Sequence, residues 1–233
     1  MSPRVATPET VPPRSSRDRS RLAHAWYEGV RWTMLTTCAY TGGIRATGRA
    51  HVPATGGVLV VSNHASFLDV FVLGITMPRQ LRYVARASLF VPVLGPVIHS
   101  VGAFPIDREG GGREGLKEAL RRLKNGSAVL LFPEGTRSED GELQPLKPGF
   151  VALTRARLPI VPVGLAGTFE AWPRHSKYPR PYPLRAHYGE PIAPEAQAGL
   201  TSEALIQLVH DRLADALRIA RAGLAREHAA HGS

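Results

Sequence analysis

The sequence is organised around eight residues, Ser62-Asn63-His64-Ala65-Ser66-Phe67-Leu68-Asp69. The apolar run Val58-Leu59-Val60-Val61 precedes them, and Val70-Phe71-Val72-Leu73 follows. The first run, which comes after a glycine pair, is typical of a buried strand, and the chain from Ser66 onward predicts a buried helix. This pattern places a histidine and an aspartate where a strand passes into a helix.

His64 and Asp69 can act as a pair only if the histidine precedes the helix. Residues five apart in a regular helix point about 140° away from each other, at roughly 3.6 residues per turn. With His64 in the turn and Asp69 in the second turn of the helix, the carboxylate can bond one ring nitrogen and leave the other free, as a general base requires. The alternative is a purely structural turn, in which Asn63 or Ser66 caps the helix and Asp69 offsets its dipole.

Length and composition fit one large globular domain. The chain has 233 residues, of which 43% are hydrophobic, so it can bury a sizeable core. Its net charge of +10 comes mostly from arginine, which accounts for 25 of the 29 basic residues. This charge favours an anionic partner, whether nucleic acid, a membrane surface or a phosphorylated substrate. The single cysteine, Cys38, excludes an internal disulfide framework and a cysteine-based zinc site, and it favours a reducing compartment.

The N-terminal part of the sequence divides into two segments. Residues 1–22 are rich in Pro, Ser and Arg and predict a disordered basic arm. Residues 23–43 predict an amphipathic helix whose tryptophans and flanking arginines suit the interfacial zone of a membrane, although it is too short and polar to span a bilayer alone. The alternative is a helix that packs on the core of the domain. In either case Cys38 is interpreted as a packing residue.

From residue 44 onward, strand-like runs alternate with helical patterns. After the strand before His64, further strands are predicted at 81–85, 103–106, 128–132 and 160–163, a first strand at 44–49, and helices around 116–123 and 205–220. This alternation predicts an α/β fold, a single domain over 44–228 with a mixed, largely parallel sheet flanked by helices. Pro162 predicts a sheet edge or an interruption near a site. Residues 172–183 predict a basic loop.

Two further polar loops follow strand-like runs, as His64 does. They are Asp107-Arg108 and the segment from Glu134 to Arg137. The carboxyl ends of strands in open α/β sheets form the usual ligand crevice, so the three loops are expected to converge there. The two arginines could hold a phosphate through charge-assisted hydrogen bonds, and Gly135 would let the backbone approach closely. Taken singly, each arginine also fits a surface charge, with Glu134 as its salt-bridge partner.

Four segments together resemble the ordered blocks of the glycerolipid acyltransferase family, most closely its 1-acylglycerol-3-phosphate acyltransferase branch. A single block is a weak signal, but four in this order over about 100 residues are specific. The resemblance is strongest over residues 55–170. The blocks are residues 63–69, 102–108, 132–138 and 160–163.

The resemblance implies transfer of a fatty acyl group from acyl-CoA or acyl carrier protein to the free hydroxyl of 1-acylglycerol-3-phosphate, which gives phosphatidic acid. It implies that His64 takes the proton of that hydroxyl while Asp69 orients the imidazole. It also implies no metal and no cofactor beyond the acyl donor. The residues that it implies for binding the acceptor's phosphate are Arg108, Glu134, Gly135, Thr136 and Arg137.

Other functions remain open at this point. The acceptor could be another lysolipid, such as a lyso-amino-acid lipid, the chain could be a thioesterase, or it could be a non-enzymatic membrane lipid-binding protein of the same fold. Nucleic acid is not expected as a partner, because the basic residues are scattered and no recognised binding module is present. The expected partners are a lysophospholipid, an acyl thioester and an anionic membrane surface. The expected location is the cytoplasmic face of the cell membrane, with peripheral or monotopic attachment.

Overall fold

A seven-stranded sheet forms the centre of the computed structural model, which describes Gly29 and residues 43–86, 103–106 and 113–231. Its strands are β1 (Ile44–Thr47), β2 (Val58–Ser62), β3 (Leu81–Arg86), β4 (Ala103–Ile106), β5 (Ala128–Leu131), β6 (Ile160–Ala166) and β7 (Leu184–Tyr188). The α-helices are α1 (Leu68–Thr76), α2 (Arg113–Lys124), α3 (Val151–Thr154), α4 (Thr168–Ala171), α5 (Pro194–Gln197) and α6 (Ser202–His231). The strands and helices predicted from residue 44 onward are present with somewhat different ends, whereas β7 and the short helices α3, α4 and α5 have no counterpart in the prediction.

The sheet is mixed and largely parallel, as predicted. Its strand order is β1-β7-β6-β2-β5-β3-β4. Every neighbouring pair is parallel except β6 and β7, which are antiparallel. Strands β1 and β7 therefore run opposite to the other five, and the carboxyl ends of β2, β5 and β6 lie at one edge of the sheet.

Strand β2 lies at the centre of this sheet and is buried along its whole length. Alternate residues face opposite sides, so Val60 joins one core with Val72 of α1. Val61 joins the core on the other side with Leu123 of α2 and Leu213 of α6. Burial on both faces explains why the β2 sequence is apolar without alternation. The turn that follows β2 therefore begins at a buried position that the sheet holds in place.

Pro162 lies inside the sheet, so the prediction of a sheet edge at this residue is wrong. Its parallel partner is Val61 of β2, and on its other side its carbonyl accepts the amide of Gly189 at 2.8 Å. The antiparallel ladder between β6 and β7 begins only at the next residue, Val163, which pairs with Tyr188. Because proline lacks an N–H group, it fits this position, where pairing with β7 is just starting.

Several sequence predictions lie outside the described residues. These are the basic arm at 1–22, most of the amphipathic helix at 23–43, and the Asp107-Arg108 loop. The domain boundaries likewise stay predictions. In the part of the chain that the structure describes, no helix combines the length and apolar character needed to cross a membrane.

Candidate active site

The histidine and the aspartate of the turn after β2 are in contact. His64 Nδ1 lies 2.8 Å from Asp69 Oδ2. The helix begins at Leu68, so Asp69 occupies its first turn rather than the predicted second turn, and His64 precedes the helix as predicted. Asp69 is fully buried, whereas 20% of the His64 side chain is exposed. The pair therefore has a buried carboxylate behind an imidazole that reaches the surface.

Asp69 also holds the turn itself. The same oxygen, Oδ2, accepts the backbone amides of Ala65 at 2.7 Å and Ser66 at 2.8 Å. A carboxylate only accepts hydrogen bonds, so Nδ1 of a neutral His64 ring carries the proton and Nε2 keeps its lone pair. The geometry thus presents Nε2 as the basic nitrogen on the open side of the ring.

Ser66 and Asn63 stabilise the turn in different ways. Ser66 precedes the helix, where its Oγ accepts the Leu68 amide at 3.1 Å and donates to the Trp172 carbonyl at 2.8 Å. Asn63 does not cap the helix. Its side-chain amide donates to the Leu165 carbonyl at 3.0 Å and accepts the Leu165 amide at 2.8 Å, and so fastens the turn to β6.

The segment after β5 holds His64 from the other side. The Phe132 ring stacks on the imidazole, with ring centroids 4.0 Å apart and an angle of 16° between the planes. The Glu134 carboxylate accepts the His64 amide at 2.6 Å, and the Ser138 amide donates to the His64 carbonyl at 2.7 Å. Two of the three predicted loops therefore converge on the histidine. The third, which carries Arg108, lies outside the described residues.

Glu134 points into the protein. It is 2% exposed, and its second carboxylate oxygen accepts the Gln144 amide at 2.8 Å. Burial raises the pKa of Glu134 to about 7, with a further rise from the charges of Asp69 and Asp140, while the hydrogen bonds from the two amides act in the opposite direction. A carboxyl group in this position can change its protonation state near neutral pH.

The other residues predicted to bind a phosphate lie at the edge of this site. Gly135 has a φ of +71°, which suits glycine and turns the chain outward. Thr136 is exposed and Arg137 is half-buried. The guanidinium carbon of Arg137 lies 3.6 Å from the centre of the Phe67 ring, a cation–π contact with the turn that carries His64.

Sequence reasoning missed Lys147, which lies beside the same turn. A Cβ placed on Gly135 would lie 3.1 Å from Lys147 Nζ. Its backbone amide donates to the Pro133 carbonyl at 2.9 Å. The chain has only four lysines, and this one follows the Glu134 block by about a dozen residues, a signal too weak to single it out from sequence. It adds a second cation beside the turn that carries Arg137.

The arrangement can perform general-base chemistry at Nε2 of His64, whose side chain is partly exposed, and cationic side chains lie in the adjoining segments. Among the described residues, no group of three or more His, Cys, Asp or Glu side chains could hold a metal ion.

Comparison with known proteins adds an independent set of observations. The family model described as Acyltransferase matches residues 43–166. A 1-acyl-sn-glycerol-3-phosphate acyltransferase of Cocos nucifera is 32% identical over 164 residues, which are 68% of this chain and 53% of the relative. One from Bacillus subtilis is 33% identical over 129 residues, 54% of this chain and 64% of the relative. The chain spans about half the length of the curated relatives it matches.

A solved structure has the same fold. The crystal structure of the 1-acyl-sn-glycerophosphate (LPA) acyltransferase of Thermotoga maritima superposes with a TM-score of 0.73. The match covers 91% of this chain and 84% of the other, at 22% sequence identity. The likeness extends through the mixed sheet and its flanking helices.

Proposed function

The chain belongs to the acyltransferase family, and from this premise we propose that it transfers a fatty acyl group from a thioester to the free hydroxyl of 1-acylglycerol-3-phosphate, which gives phosphatidic acid. The observation that carries the proposal is the His64–Asp69 contact of 2.8 Å, which engages Nδ1 and leaves the lone pair of the neutral ring on Nε2. The relatives from Cocos nucifera and Bacillus subtilis are named as acyltransferases of this acceptor, which favours it here.

The proposed reaction begins with transfer of the acceptor's hydroxyl proton to Nε2 of His64 as the hydroxyl oxygen attacks the thioester carbonyl carbon. Asp69 stabilises the imidazolium that forms. The tetrahedral intermediate then collapses, the carbon–sulfur bond breaks, and the imidazolium returns its proton to the leaving thiolate. The products are an ester and a free thiol, and His64 is neutral again. The reaction needs no cofactor, since the donor, acyl-CoA or acyl carrier protein, supplies the acyl group.

We assign binding of the acceptor's phosphate to the cationic edge of the site. Arg137 carries the main charge there, with Gly135 and Thr136 in the same turn and Lys147 beside it. Arginine suits phosphate because its planar guanidinium can donate two parallel hydrogen bonds. Arg108 is proposed as a further ligand from the family resemblance alone, and its replacement by alanine should raise the acceptor's KM far more than the donor's. Equal effects on both KM values would argue against this role.

An anionic membrane surface is the proposed partner, at the cytoplasmic face of the cell membrane. The loop over residues 172–183, which we call the border loop, begins at Trp172 beside Phe67, with the two rings 5.6 Å apart. Residues 174–181 are exposed, and the chain from 171 to 189 contains no acidic residue. Tyr178 is 69% exposed and Phe67 46% exposed. Basic and aromatic side chains next to the site suit contact with the interface of an anionic bilayer, where both lipid substrates reside.

The decisive experiment measures thiol release from palmitoyl-CoA in mixed micelles, with and without 1-acylglycerol-3-phosphate, for the wild type and His64→Ala. Positioned general-base catalysis typically contributes about 10²–10⁴-fold, so we expect His64→Ala to lose at least that much activity. The matched control is His210→Ala, which removes another histidine beside an aspartate, at 3.6 Å from Asp211 on α6.

Each outcome of this experiment decides between functions. Release that requires the acceptor, yields phosphatidic acid and disappears only in His64→Ala supports the proposal. Release without an acceptor indicates a thioesterase. Release only with a different lysolipid indicates that the chain catalyses the same reaction with another acceptor. If neither acyl-CoA nor acyl carrier protein supports transfer to any lysolipid, a non-enzymatic lipid-binding protein of this fold is favoured.

A further inference from the structure

We infer that Glu134 is a positioning residue that holds the backbone of the catalytic histidine, and that it is not a ligand of the acceptor's phosphate. This inference rests on the proposed function for the role of His64. It replaces the role that the family resemblance implies for Glu134 and leaves phosphate binding to the neighbouring cations.

Both oxygens of the Glu134 carboxylate already have partners within the protein. Oε1 accepts the His64 amide at 2.6 Å and Oε2 accepts the Gln144 amide at 2.8 Å. The residue is 2% exposed, so the carboxylate does not face the surface on which a substrate would bind. An ionised carboxylate would also repel a phosphate. The geometry is therefore that of a bridge between the His64 turn and the segment that carries Gln144.

The bridge is one of three hydrogen-bonded restraints on His64, whose ring also stacks on Phe132. Glu134 holds the peptide N–H, the Ser138 amide holds the carbonyl at 2.7 Å, and Asp69 holds the ring through Nδ1 at 2.8 Å. Restraint at the backbone and at the ring together fixes the direction of Nε2. Catalytic groups need to be held to within roughly 0.5 Å, so loss of one restraint should affect the chemical step.

Glu134→Gln tests this role with a side chain of the same shape. The glutamine oxygen can accept one of the two backbone amides, but its NH₂ group then faces the other amide, donor against donor. We expect kcat to fall by about 10²-fold, the scale of a displacement near 1 Å, while the acceptor's KM changes by less than about threefold. The matched control is Glu139→Gln, which neutralises an exposed carboxylate of the following loop and should leave both parameters unchanged.

The two roles predict opposite changes in the kinetic parameters. A phosphate ligand would raise the acceptor's KM tenfold or more with little change in kcat, a result that would overturn the inference. Unchanged kinetics in folded Glu134→Gln would overturn it as well. Circular dichroism and the melting temperature establish whether the variant is folded.

A measurement on the wild-type chain tests the geometry without activity. A backbone amide that donates to a carboxyl group changes its NMR shift when that group ionises. The amide of Gln144 and that of His64 should therefore titrate with a shared midpoint, near the pKa of about 7 to which burial raises Glu134. Amides that show no shared midpoint would contradict the bridge even if the variant does not fold. Shared titration in a chain without acyl transfer would instead count against the proposed function alone.

Discussion

The turn after β2 and the border loop meet at the candidate site, yet they are held in different ways. The turn, residues 62–69, is fixed by hydrogen bonds from buried side chains, including those of Asn63 and Asp69. The border loop contacts the turn through the Trp172 carbonyl, and its residues 174–181 are exposed. The difference indicates that the fold fixes the reacting groups and leaves the edge of the site available to a partner. Variants of the turn should thus change chemistry or stability, and variants of the border loop should change binding alone.

The largest effect in this comparison is expected for Asp69→Asn. Asparagine can keep an acceptor near Oδ2, but it loses the charge that stabilises the imidazolium, and it places an NH₂ group where buried Oδ1 makes no hydrogen bond to the described residues. We expect kcat to fall by roughly 10²–10⁴-fold. The free energy of unfolding should also fall by about 1–3 kcal/mol. Steady-state kinetics and urea unfolding measure the two effects, and activity within threefold of the wild type would show that the pair is structural.

Asn63→Ala tests how firmly the turn is fastened to the sheet. The change leaves the buried amide and carbonyl of Leu165 without their side-chain partners. We expect the free energy of unfolding to fall by about 2–3 kcal/mol, measured as a lower urea midpoint. Asn125, which is exposed at the end of α2, provides the control, since Asn125→Ala should stay within about 0.5 kcal/mol of the wild type. Equal free energies of unfolding for the two variants would show that the buried Asn63 side chain does not stabilise the turn more than an exposed asparagine stabilises its own segment.

The pH dependence of stability tests the buried state of Glu134. Its pKa is raised to about 7 in the folded protein, mainly by burial, from an ordinary value of 4.5. The folded state therefore binds more protons than the unfolded state between these values, and the contribution of Glu134 to stability is present below pH 4.5 and is lost as the pH rises through about 7. His64, Asp69 and Asp140 also face or lie near this group and are present in both proteins.

The measurement is the difference in free energy of unfolding between the wild type and Glu134→Gln across that pH range. The free energy of unfolding of the wild type minus that of Glu134→Gln should decrease as the pH rises, because Glu134 ionises in the wild type and glutamine does not ionise. A difference that stays constant, or that increases, would mean that the carboxyl group is not buried as described.

The smallest effect on the fold is expected for Lys177→Glu in the border loop. The side chain is exposed, so the free energy of unfolding should stay within about 0.5 kcal/mol of the wild type. Binding to vesicles that contain anionic lipid should weaken by about fivefold or more, since each basic residue near such a surface contributes roughly 1 kcal/mol. Sedimentation with vesicles of phosphatidylcholine alone is the control. Unchanged binding to anionic vesicles would show that Lys177 of the border loop does not contribute to membrane binding.

The sequence predicted the elements around the site well, because each depends on local pattern. Strand β2 is a run of aliphatic residues, and the only geometry that joins His64 to Asp69 puts the histidine before the helix. The same local reasoning left two alternatives open at Pro162 and could not exclude the wrong one, a sheet edge, because the place of a strand within a sheet depends on distant partners, here Val61 and the amide of Gly189. Strand β7 was missed for a related reason, since Arg185 and His187 interrupt its apolar pattern.

Side-chain direction was the second limit of sequence reasoning. Glu134 and Arg137 belong to one short turn, and their residue types suggested one shared ligand. In the structure Gly135, at a φ of +71°, lies between a carboxylate that is buried and a guanidinium at the edge. Sequence alone could not show that Glu134 points inward while Arg137 points to the edge of the site. Lys147 comes beside this turn only when the chain folds.

The pairing of β1 has a consequence for the order in which the chain can assemble during synthesis. Strand β1 is hydrogen-bonded to β7, and Thr47 bonds His187 at a separation of 140 residues. At about 5–20 residues per second, a ribosome needs roughly 7–28 s to make the intervening chain. The first strand to leave the ribosome must therefore wait for the last, and β1 completes the sheet only after the parts that hold His64 have been made.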